Sequence, residues 1–213
     1  MKVKLRVFRG REGEGHYQEF ELDVDEGASV LDCLELIRFG MDETLVYNRA
    51  CHHGVCGACA MLINGKERLA CITKVKDLGE EITVEPLKNF RVIKDLLVDP
   101  SPMFSKLKLV GAKMLKDSEG YKVLDDCVEC GACYSSCPTY GVFKGFLGPS
   151  AIHFFAKEPK EEGLKAEETG LNGLWTCLLC RRCVEICPYD VDVPRDAREL
   201  RRAYVRVVLR MGG

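Results

Sequence analysis

Two copies of one cysteine pattern constrain this 213-residue chain more than any other feature. Each copy is C-x2-C-x2-C-x3-C followed at once by proline, and the copies begin at Cys127 and Cys177. Spacers of two residues let one tight loop direct three thiolates at a single cubane, whereas the fourth cysteine begins a helix and points away. In two-cluster ferredoxins that fourth cysteine ligates the other cluster. The pattern therefore predicts two iron–sulfur clusters with interleaved ligand sets.

A pair of zinc sites is the alternative for these cysteines. They are Cys127, Cys130, Cys133 and Cys137 in the first run, and Cys177, Cys180, Cys183 and Cys187 in the second. Structural zinc usually takes four cysteines as C-x2-C…C-x2-C, without a trailing C-x3-C-P. Both runs carry that trailing element, which ends at Pro138 and Pro188. The spacing favours iron–sulfur clusters over zinc.

The cysteine content indicates a reducing compartment. Thirteen is an odd count, in a chain longer than most disulfide-stapled secreted domains. The first residues alternate apolar and charged side chains and show no charged-then-apolar leader. No apolar run approaches the ~20 residues that span a bilayer, and a net charge of −2 gives no basic footprint for nucleic acid. We expect neither a transmembrane segment nor a nucleic-acid partner.

A third cysteine pattern lies in the first half of the chain. Its members are Cys51, Cys56, Cys59 and Cys71. C-x4-C-x2-C with a fourth cysteine farther on is the plant-type ferredoxin spacing for a 2Fe–2S cluster. In residues 51–59, here called the cluster loop, Gly54 and Gly57 permit the positive φ needed to wrap closely around sulfur. Asn64-Gly65 predicts a type I′ hairpin that returns the last cysteine to this loop.

The surrounding residues predict a small sheet and one helix. Residues 2–8 and 19–24 alternate apolar and polar side chains, as half-buried strands do. Ser29 and Asp32 form a capping-box signature, and apolar residues then recur at helical spacing until Gly40. A cluster-bearing sheet wrapped around one helix is the β-grasp arrangement.

Three residues near the cluster loop fit ligand roles poorly. Cys33 lies inside the predicted helix and outside any ligand spacing, so its expected role is that of a small buried hydrophobe. His52 and His53 would need a C-x-x-H partner to form a Rieske site, but Cys56 is followed by Cys59 instead. We expect the histidines to line the loop and donate hydrogen bonds to sulfur.

The character of the sequence changes near residue 100. Beyond Pro86, Pro100 and Pro102, β-type alternation gives way to helical spacing. We expect an α+β protein with a β-grasp plant-type 2Fe–2S ferredoxin domain over residues 1–100. An all-α helical ferredoxin domain with two cubane clusters is expected over residues 101–213.

Three segments of the second half carry further expectations. Residues 92–99 are expected to bridge the halves, and the polar residues 158–169 to form a solvated surface. Residues 195–210 predict an amphipathic helix that packs on the second domain and has an arginine-rich outer face. A solvated face is the ordinary role for these arginines, and contact with anionic lipid or a partner is the alternative.

The order and spacing of these motifs resemble the iron–sulfur subunit of the succinate dehydrogenase and fumarate reductase family. The resemblance covers nearly the whole chain. It is carried by residues 51–71, residues 92–99, both cysteine runs and the motif Phe146-Leu147-Gly148-Pro149. It implies an FAD-containing flavoprotein partner that holds the dicarboxylate site, and a linear relay through three clusters. It also implies a peripheral position at the cytoplasmic face of the cell membrane, through partner subunits.

The resemblance also implies the ligand sets. Cys51, Cys56, Cys59 and Cys71 match the ligands of the 2Fe–2S cluster. Cys127, Cys130, Cys133 and Cys187 match those of the middle 4Fe–4S cluster. Cys137, Cys177 and Cys183 match the distal cluster, which is 3Fe–4S in most of the family. Here Cys180 stands where most members have no cysteine, as in archaeal-type variants. A fourth thiolate can hold a fourth iron and adds negative charge, so we expect a second 4Fe–4S cluster of lowered potential.

The usual members of the family contribute to a quinone pocket beside the distal cluster. Tryptophans shortly after the Cys-Pro of the first run and a histidine just after the first cysteine of the second run line it. This chain has residues 139–142 (Thr-Tyr-Gly-Val) and Leu178 at these places. We therefore expect electrons to pass to a separate partner subunit, which is either a membrane anchor or a cysteine-rich peripheral subunit. The missing side chains favour the cysteine-rich peripheral subunit over a haem-bearing anchor. A divergent quinone site built by Tyr140 and Phe143 is the alternative.

Two other functions stay open at this point. The relay could serve a flavoprotein that oxidises glycolate, lactate or glycerol-3-phosphate, or the chain could be a freely diffusing ferredoxin-like carrier. The sequence contains no P-loop, HExxH, nucleophile elbow or catalytic triad, so we expect no catalytic residue in this chain. Such a chain would be the electron-transfer subunit of an oxidoreductase complex whose chemistry takes place elsewhere.

Overall fold

The computed structural model describes residues 1–11, 13–111, 127–143, 145–157 and 171–211, with the backbone alone for residues 171, 172 and 208–211. The chain divides into two compact units. The first is Met1–Asp99 with Val128–Ala132, and the second is Pro100–Cys127 with Cys133–Gly213. The polar stretch at residues 158–169 lies outside the described residues.

The first unit is built on a five-stranded mixed sheet. Its strands are β1 (Lys2–Arg9), β2 (His16–Asp23), β3 (Ala60–Ile63), β4 (Lys66–Leu69) and β5 (Glu81–Glu85), in the spatial order β2-β1-β5-β3-β4. β1 pairs antiparallel with β2 and parallel with β5, and β3 pairs antiparallel with β4 and β5. Helix α1 (Val30–Gly40) follows β2. The predicted β-grasp arrangement is confirmed.

Side-chain periodicity explains which sides of β1 and α1 are buried. Along β1, Val3, Leu5 and Val7 are buried and alternate with more exposed charged residues. α1 begins at the predicted capping box: the amide of Asp32 donates to Ser29 Oγ at 3.2 Å, and the Asp32 carboxylate accepts from the amide of Ser29 at 2.7 Å. The buried residues of α1 are Val30, Leu31, Cys33, Leu34 and Ile37. Each large apolar side chain buried here stabilises the unit by about 1.5–3 kcal/mol.

Residues 92–99 form a hairpin of β6 (Val92–Lys94) and β7 (Leu97–Val98) inside the first unit. Asp95, in its turn, is buried and has a φ of 52°. One carboxylate oxygen of Asp95 accepts from the amide of Gly10 at 2.8 Å, and the other accepts from the amide of Val46 at 2.9 Å. The hairpin thereby fixes the segment that leads into the cluster loop.

Arg9 extends this anchor into a buried ion network. Its Nε lies 3.3 Å from the Asp95 carboxylate, and its Nη1 lies 2.7 Å from Asp42. Nη2 also donates to the hydroxyl of Thr44 at 2.8 Å. Hydrogen bonds from Thr44 and Arg9 hold the pKa of Asp42 well below its ordinary value. A charged side chain can be buried without a large cost in free energy when it is paired and hydrogen-bonded, as these side chains are.

Beyond residue 100 the described residues form helices and no strand. The helices are α2 (Ser101–Leu109), α3 (Ala132–Ser135), α4 (Pro149–Lys157), α5 (Leu171–Trp175), α6 (Arg182–Glu185) and α7 (Val193–Met211). α4 packs against α7 and α2. The predicted amphipathic helix is α7: Leu200 is buried, and Ala203, Tyr204 and Val207 pack against the helical core. The α+β fold class is confirmed.

In this helical region, position 148 requires glycine for steric reasons. Its φ is 92°, and a Cβ there would lie 2.0 Å from the ring of Tyr134. Tyr134 is fully buried, and its hydroxyl donates to the carbonyl of Leu147 at 3.3 Å and accepts from the amide of Ala151 at 3.3 Å. Because Tyr134 follows Cys133 directly, this contact fixes the end of the first cysteine run to α4.

Candidate metal centres

Backbone amides of the first unit point at the sulfurs of the predicted 2Fe–2S ligands. The amide of His53 donates to Cys51 Sγ at 3.4 Å, and the amide of Cys51 donates to Cys56 Sγ at 3.5 Å. The amide of Cys71 donates to Cys59 Sγ at 3.5 Å, so the β3–β4 hairpin does return Cys71 to the loop. Hydrogen bonds to sulfur stabilise the negative charge that iron–sulfur ligation requires. The donor set fits a 2Fe–2S cluster.

The cluster loop has the left-handed backbone that close wrapping requires. His52, Gly54 and Gly57 have φ values of 61°, 82° and 69°. At Gly57, space is limiting as well, because a Cβ would lie 2.5 Å from the carbonyl oxygen of Val128 and 2.7 Å from Cα of Cys130. Only glycine lets the loop approach the first cysteine run this closely.

Burial and hydrogen bonding act differently on these thiols. Burial raises the pKa of Cys59 to about 12. Burial acts the same way on Cys51, but hydrogen bonds, among them those from the amides of His53, Cys56 and Val55, outweigh it and lower the pKa to about 7. A thiol must lose its proton to bind iron. Bound iron would therefore have to offset a higher proton affinity at Cys59 than at Cys51.

The side chain of His52 points to α1. Its Nε2 lies 3.5 Å from the Glu35 carboxylate, to which Arg49 also pairs. The guanidinium of Arg49 lies 5.1 Å from the centre of the Phe39 ring. The hydrogen bond that a histidine of the loop donates to sulfur comes from the backbone amide of His53. The His52 side chain instead helps to tie the loop to α1.

Cys33 lies at the buried side of α1, as expected of a small apolar residue. It is 0% exposed, and burial raises the pKa of its thiol to about 11. All thirteen cysteines fall within the described ranges, and each is a thiol outside any disulfide.

The two cysteine runs share one backbone conformation. Glu129 and Gly131, with φ values of 52° and 80°, flank the second cysteine of the first run. Leu179 and Arg181, with φ values of 56° and 67°, flank the second cysteine of the other run. A left-handed backbone costs a non-glycine residue about 1–2 kcal/mol, so the loop as a whole must hold it in place. Cys180 therefore has the same position in the second run as Cys130, a predicted ligand, has in the first run.

The thiols of the predicted distal set interact with one another. Within the described ranges, no three His, Cys, Asp or Glu side chains converge closely enough to hold a single metal ion. Burial raises the pKa of Cys183 to about 12, and the thiolate charges of Cys177, Cys137 and Cys180 add to that increase. Burial also raises the pKa of Cys137, with smaller contributions from Cys177 and Cys180. The structure therefore brings these four thiols into one electrostatic neighbourhood, whose repulsion bound iron would offset.

Arg201 on α7 is a charged neighbour of the distal set that the sequence did not single out. Its Nη2 donates to the carbonyls of Leu174, Trp175 and Cys177 at 3.3, 3.2 and 2.6 Å. Its guanidinium lies 5.0 Å from the centre of the Trp175 ring. Burial raises the pKa of Cys177, and an amide hydrogen bond from Leu179 and the charge of Arg201 oppose the increase. A fixed cation at this place favours a negatively charged centre.

The predicted middle set is divided between the compact units. Cys130 belongs to the first unit, and Cys127, Cys133 and Cys187 belong to the second. Cys127 and Cys187 pack against the helical core. Burial, and after it the nearby thiolate of Cys133, holds the pKa of Tyr134 well above its ordinary value. The grouping of these four cysteines into one ligand set stays a prediction.

Large apolar side chains are exposed close in sequence to the distal cysteines. Val142 and Leu178 are 85% and 67% exposed, and Phe143 and Trp175 are each 42% exposed. Exposed apolar residues of this size mark interaction sites when they form a patch. In the part of the chain that the structure describes, no helix is both long and apolar enough to cross a membrane.

Two family models match successive parts of the chain. A 2Fe–2S iron–sulfur cluster binding domain matches residues 3–105, and a 4Fe–4S dicluster domain matches residues 123–191. Fold and matches together define a two-domain iron–sulfur protein with a β-grasp ferredoxin domain followed by a helical dicluster domain.

The chain belongs to the family of iron–sulfur subunits of fumarate reductase and succinate dehydrogenase. It is 32% identical to the fumarate reductase iron–sulfur subunit of Haemophilus influenzae over 212 residues, which cover 84% of this chain and 82% of the relative. It is also 32% identical to one subunit of the CoM/CoB fumarate reductase of Methanothermobacter marburgensis, with 93% of this chain but 43% of the relative covered. The chain thus spans less than half the length of this second relative.

A solved structure agrees with this assignment. A chain of the Mycobacterium smegmatis Sdh1 complex in the apo form is 26% identical to this chain, with a TM-score of 0.80. The match covers 100% of this chain and 98% of that one. The family predicted from the motifs is confirmed.

Proposed function

We propose that this chain relays electrons through one 2Fe–2S and two 4Fe–4S clusters, from or to an FAD-containing flavoprotein that handles a dicarboxylate. The observation that carries the proposal is the repeated backbone of the two cysteine runs. Leu179 and Arg181 surround Cys180 with the same left-handed geometry that surrounds Cys130. This repeat supports Cys180 as a fourth distal ligand.

The proposed ligand sets follow the cysteine spacing and the family resemblance. They are Cys51, Cys56, Cys59 and Cys71 for the 2Fe–2S cluster, Cys127, Cys130, Cys133 and Cys187 for the middle 4Fe–4S cluster, and Cys137, Cys177, Cys180 and Cys183 for the distal 4Fe–4S cluster. Iron–sulfur clusters take up and release single electrons, so a chain that holds them needs no general acid or base. Its own residues bury the sulfurs, donate amides to them and place the charge of Arg201 beside the distal set.

Electrons would cross the distal set into a separate acceptor subunit. By the family resemblance, residues 139–142 stand where a quinone-binding member has tryptophans, and Leu178 stands where it has a histidine. Val142 and Leu178 are both strongly exposed. Apolar groups offer no hydrogen bonds to orient the carbonyls of a quinone. The exposed surface suits a protein partner, which we propose to be cysteine-rich and peripheral at the cytoplasmic face of the membrane.

The domain boundary proposed near residue 100 is supported by the main break between the compact units, which falls between Asp99 and Pro100. The segment Val128–Ala132 is the exception, since it groups with the first unit. Gly57 comes within contact distance of this segment, so the proposed 2Fe–2S loop and the first cysteine run are neighbours. Such proximity suits electron transfer from one centre to the next.

Anaerobic purification of the chain with its native partners tests this function. We expect a flavoprotein to co-purify, and succinate to reduce the clusters or fumarate to reoxidise them, as followed by EPR. If only glycolate, lactate or glycerol-3-phosphate reduces the clusters, the chain is still a relay, but its flavoprotein partner does not act on a dicarboxylate. A chain that elutes alone from gel filtration would instead be a diffusing carrier.

A further inference from the structure

An open groove runs beside α1 in the first unit, apart from the cysteine sulfurs. It has a volume of about 1190 Å³ and is lined by one side of α1 and by the turn that follows β2. Leu36 and Phe39 of α1 line it and are 50% and 70% exposed. Both side chains already lie in the groove, so a binding partner would restrict their conformational freedom little. Covering them would remove apolar surface from water, which favours binding.

The charge of this groove is mainly negative. Its lining includes one cation, the N-terminal ammonium of Met1, which lies 3.4 Å from a carboxylate oxygen of Asp23. The other carboxylates of the lining belong to Asp25, Asp32 and Glu35, and among the described residues no lysine or arginine side chain lines it. Asp32 caps α1, and Glu35 pairs with Arg49. The exposed carboxylate of Asp25 remains at the rim. A cationic group on an incoming segment would therefore find complementary charge beside the apolar side chains.

Two residues that line the groove, Glu35 and Phe39, also contact residues beside Cys51. Arg49 lies over the ring of Phe39, 5.1 Å from its centre, and pairs with Glu35. His52 of the loop lies 3.5 Å from the same carboxylate. A segment seated on Phe39 would thus lie against residues that flank Cys51 on both sides. Its position points to the partner that exchanges electrons with the first unit.

We propose that this groove is the docking site for a basic segment of the flavoprotein, which inserts an apolar side chain between Leu36 and Phe39 and places a lysine or arginine near Asp25. The inference rests on the proposed function, because it takes the flavoprotein as the neighbour of the 2Fe–2S domain. It adds the surface, the charge and the residues through which that partner is held.

The test is the flavin content of the tagged chain purified anaerobically from its native host, measured per chain at low and at high salt. Phe39→Ser removes the apolar anchor, and Asp25→Lys reverses the charge at the rim. Ile93→Ser and Glu21→Lys are matched controls, since both positions are exposed in the same unit and do not line the groove. The EPR signal of the 2Fe–2S cluster reports that each variant is folded.

We expect the flavin content per chain to fall at least tenfold in both groove variants and to stay unchanged in the controls. High salt should lower the flavin content of Phe39→Ser further. If Phe39→Ser fails to fold, Asp25→Lys decides, because it alters a solvent-exposed side chain. Retention of flavin by the folded groove variants would overturn the inference. Gel filtration that shows a dimer of the unsubstituted chain but monomers of the groove variants would also overturn it, because a second copy of the chain would then be the occupant. Absence of flavin from the unsubstituted protein would overturn the proposed function itself.

Discussion

The first and second cysteine runs have the same backbone in different surroundings. In the first run, Gly131 is buried, and a Cβ there would lie 3.2 Å from the ring of Phe90. In the second, Arg181 takes the same left-handed conformation at the surface, next to an exposed Cys180. The cysteine spacing thus sets the loop geometry, and the neighbours decide which residue is tolerated within it.

The difference in exposure also separates two tasks. The first run lies close to Gly57 of the cluster loop, where no side chain fits. The second run has exposed residues at Leu178, Cys180 and Arg181. An inner run suits transfer within the chain, and an exposed run suits transfer to another subunit. Variants that change one run and leave the other as the reference separate these two tasks.

The largest effect is expected from Cys180→Val. If the two runs are equivalent, loss of this thiolate converts the distal 4Fe–4S cluster to 3Fe–4S and leaves the other two EPR signals unchanged. Cys33→Ala is the control, since it removes a buried thiol outside the proposed sets and should alter no cluster. Three unchanged signals in Cys180→Val would show that the runs differ in function despite their common backbone.

Arg201→Leu tests the charge that lies beside the second run. A unit charge at roughly 8 Å contributes about 2 kcal/mol at an effective dielectric constant of about 20. We therefore expect the distal cluster to become harder to reduce by about this amount per electron, and the middle cluster to change less. Redox titration followed by EPR measures both. Arg202→Leu, an exposed neighbour on α7, should leave both potentials in place; an equal shift in that variant would assign the effect to general surface charge.

Gly131→Ala tests whether crowding distinguishes the first run. The new Cβ would combine a φ of 80° with a contact of 3.2 Å to Phe90, so we expect a loss of stability of about 1–3 kcal/mol. Gly79→Ala is the control, because Gly79 has a φ of 89° and nothing within 4 Å of the added Cβ. Thermal unfolding of the anaerobic holoprotein compares the two. Equal losses would mean that the neighbours of Gly131 do not matter.

The smallest effect is expected from Arg181→Gly in the second run. Glycine adopts this φ of 67° without strain, so relief of about 1 kcal/mol opposes the loss of a surface pairing with Asp192 at 3.8 Å. The variant should unfold at the same temperature as the parent or slightly higher. A clear drop would show that Arg181 holds the loop through its side chain.

The parts of this molecule that the sequence predicts are those with local causes. The capping box at Ser29 and the Asn64-Gly65 turn each act within a few residues, and both led to the correct element. Arg201 was missed because its contact with the carbonyl of Cys177 spans 24 residues and depends on how α7 docks. The ion network of Arg9 and Asp95 was missed for the same reason, since neither neighbourhood alone indicates a partner.

The ligand sets themselves remain predictions from spacing and resemblance. The structure adds the amide donors at Cys51, Cys56 and Cys59 and the mutual charge effects around Cys183. The inward amides of the cluster loop were expected from its two glycines, Gly54 and Gly57. The charge effects around Cys183 could not be read from the sequence, because they depend on how separate segments of the chain approach one another.

The most direct test of the account is iron and sulfide analysis with EPR on freshly prepared, anaerobic protein. Twelve ligand cysteines that include Cys180 predict about 10 iron atoms per chain, as one 2Fe–2S and two 4Fe–4S clusters. Because four thiolates would hold a complete distal 4Fe–4S cluster, we expect no strong 3Fe–4S signal in the oxidised protein. About 9 iron atoms with such a signal would contradict Cys180 as a ligand, and zinc in place of iron would contradict the whole assignment.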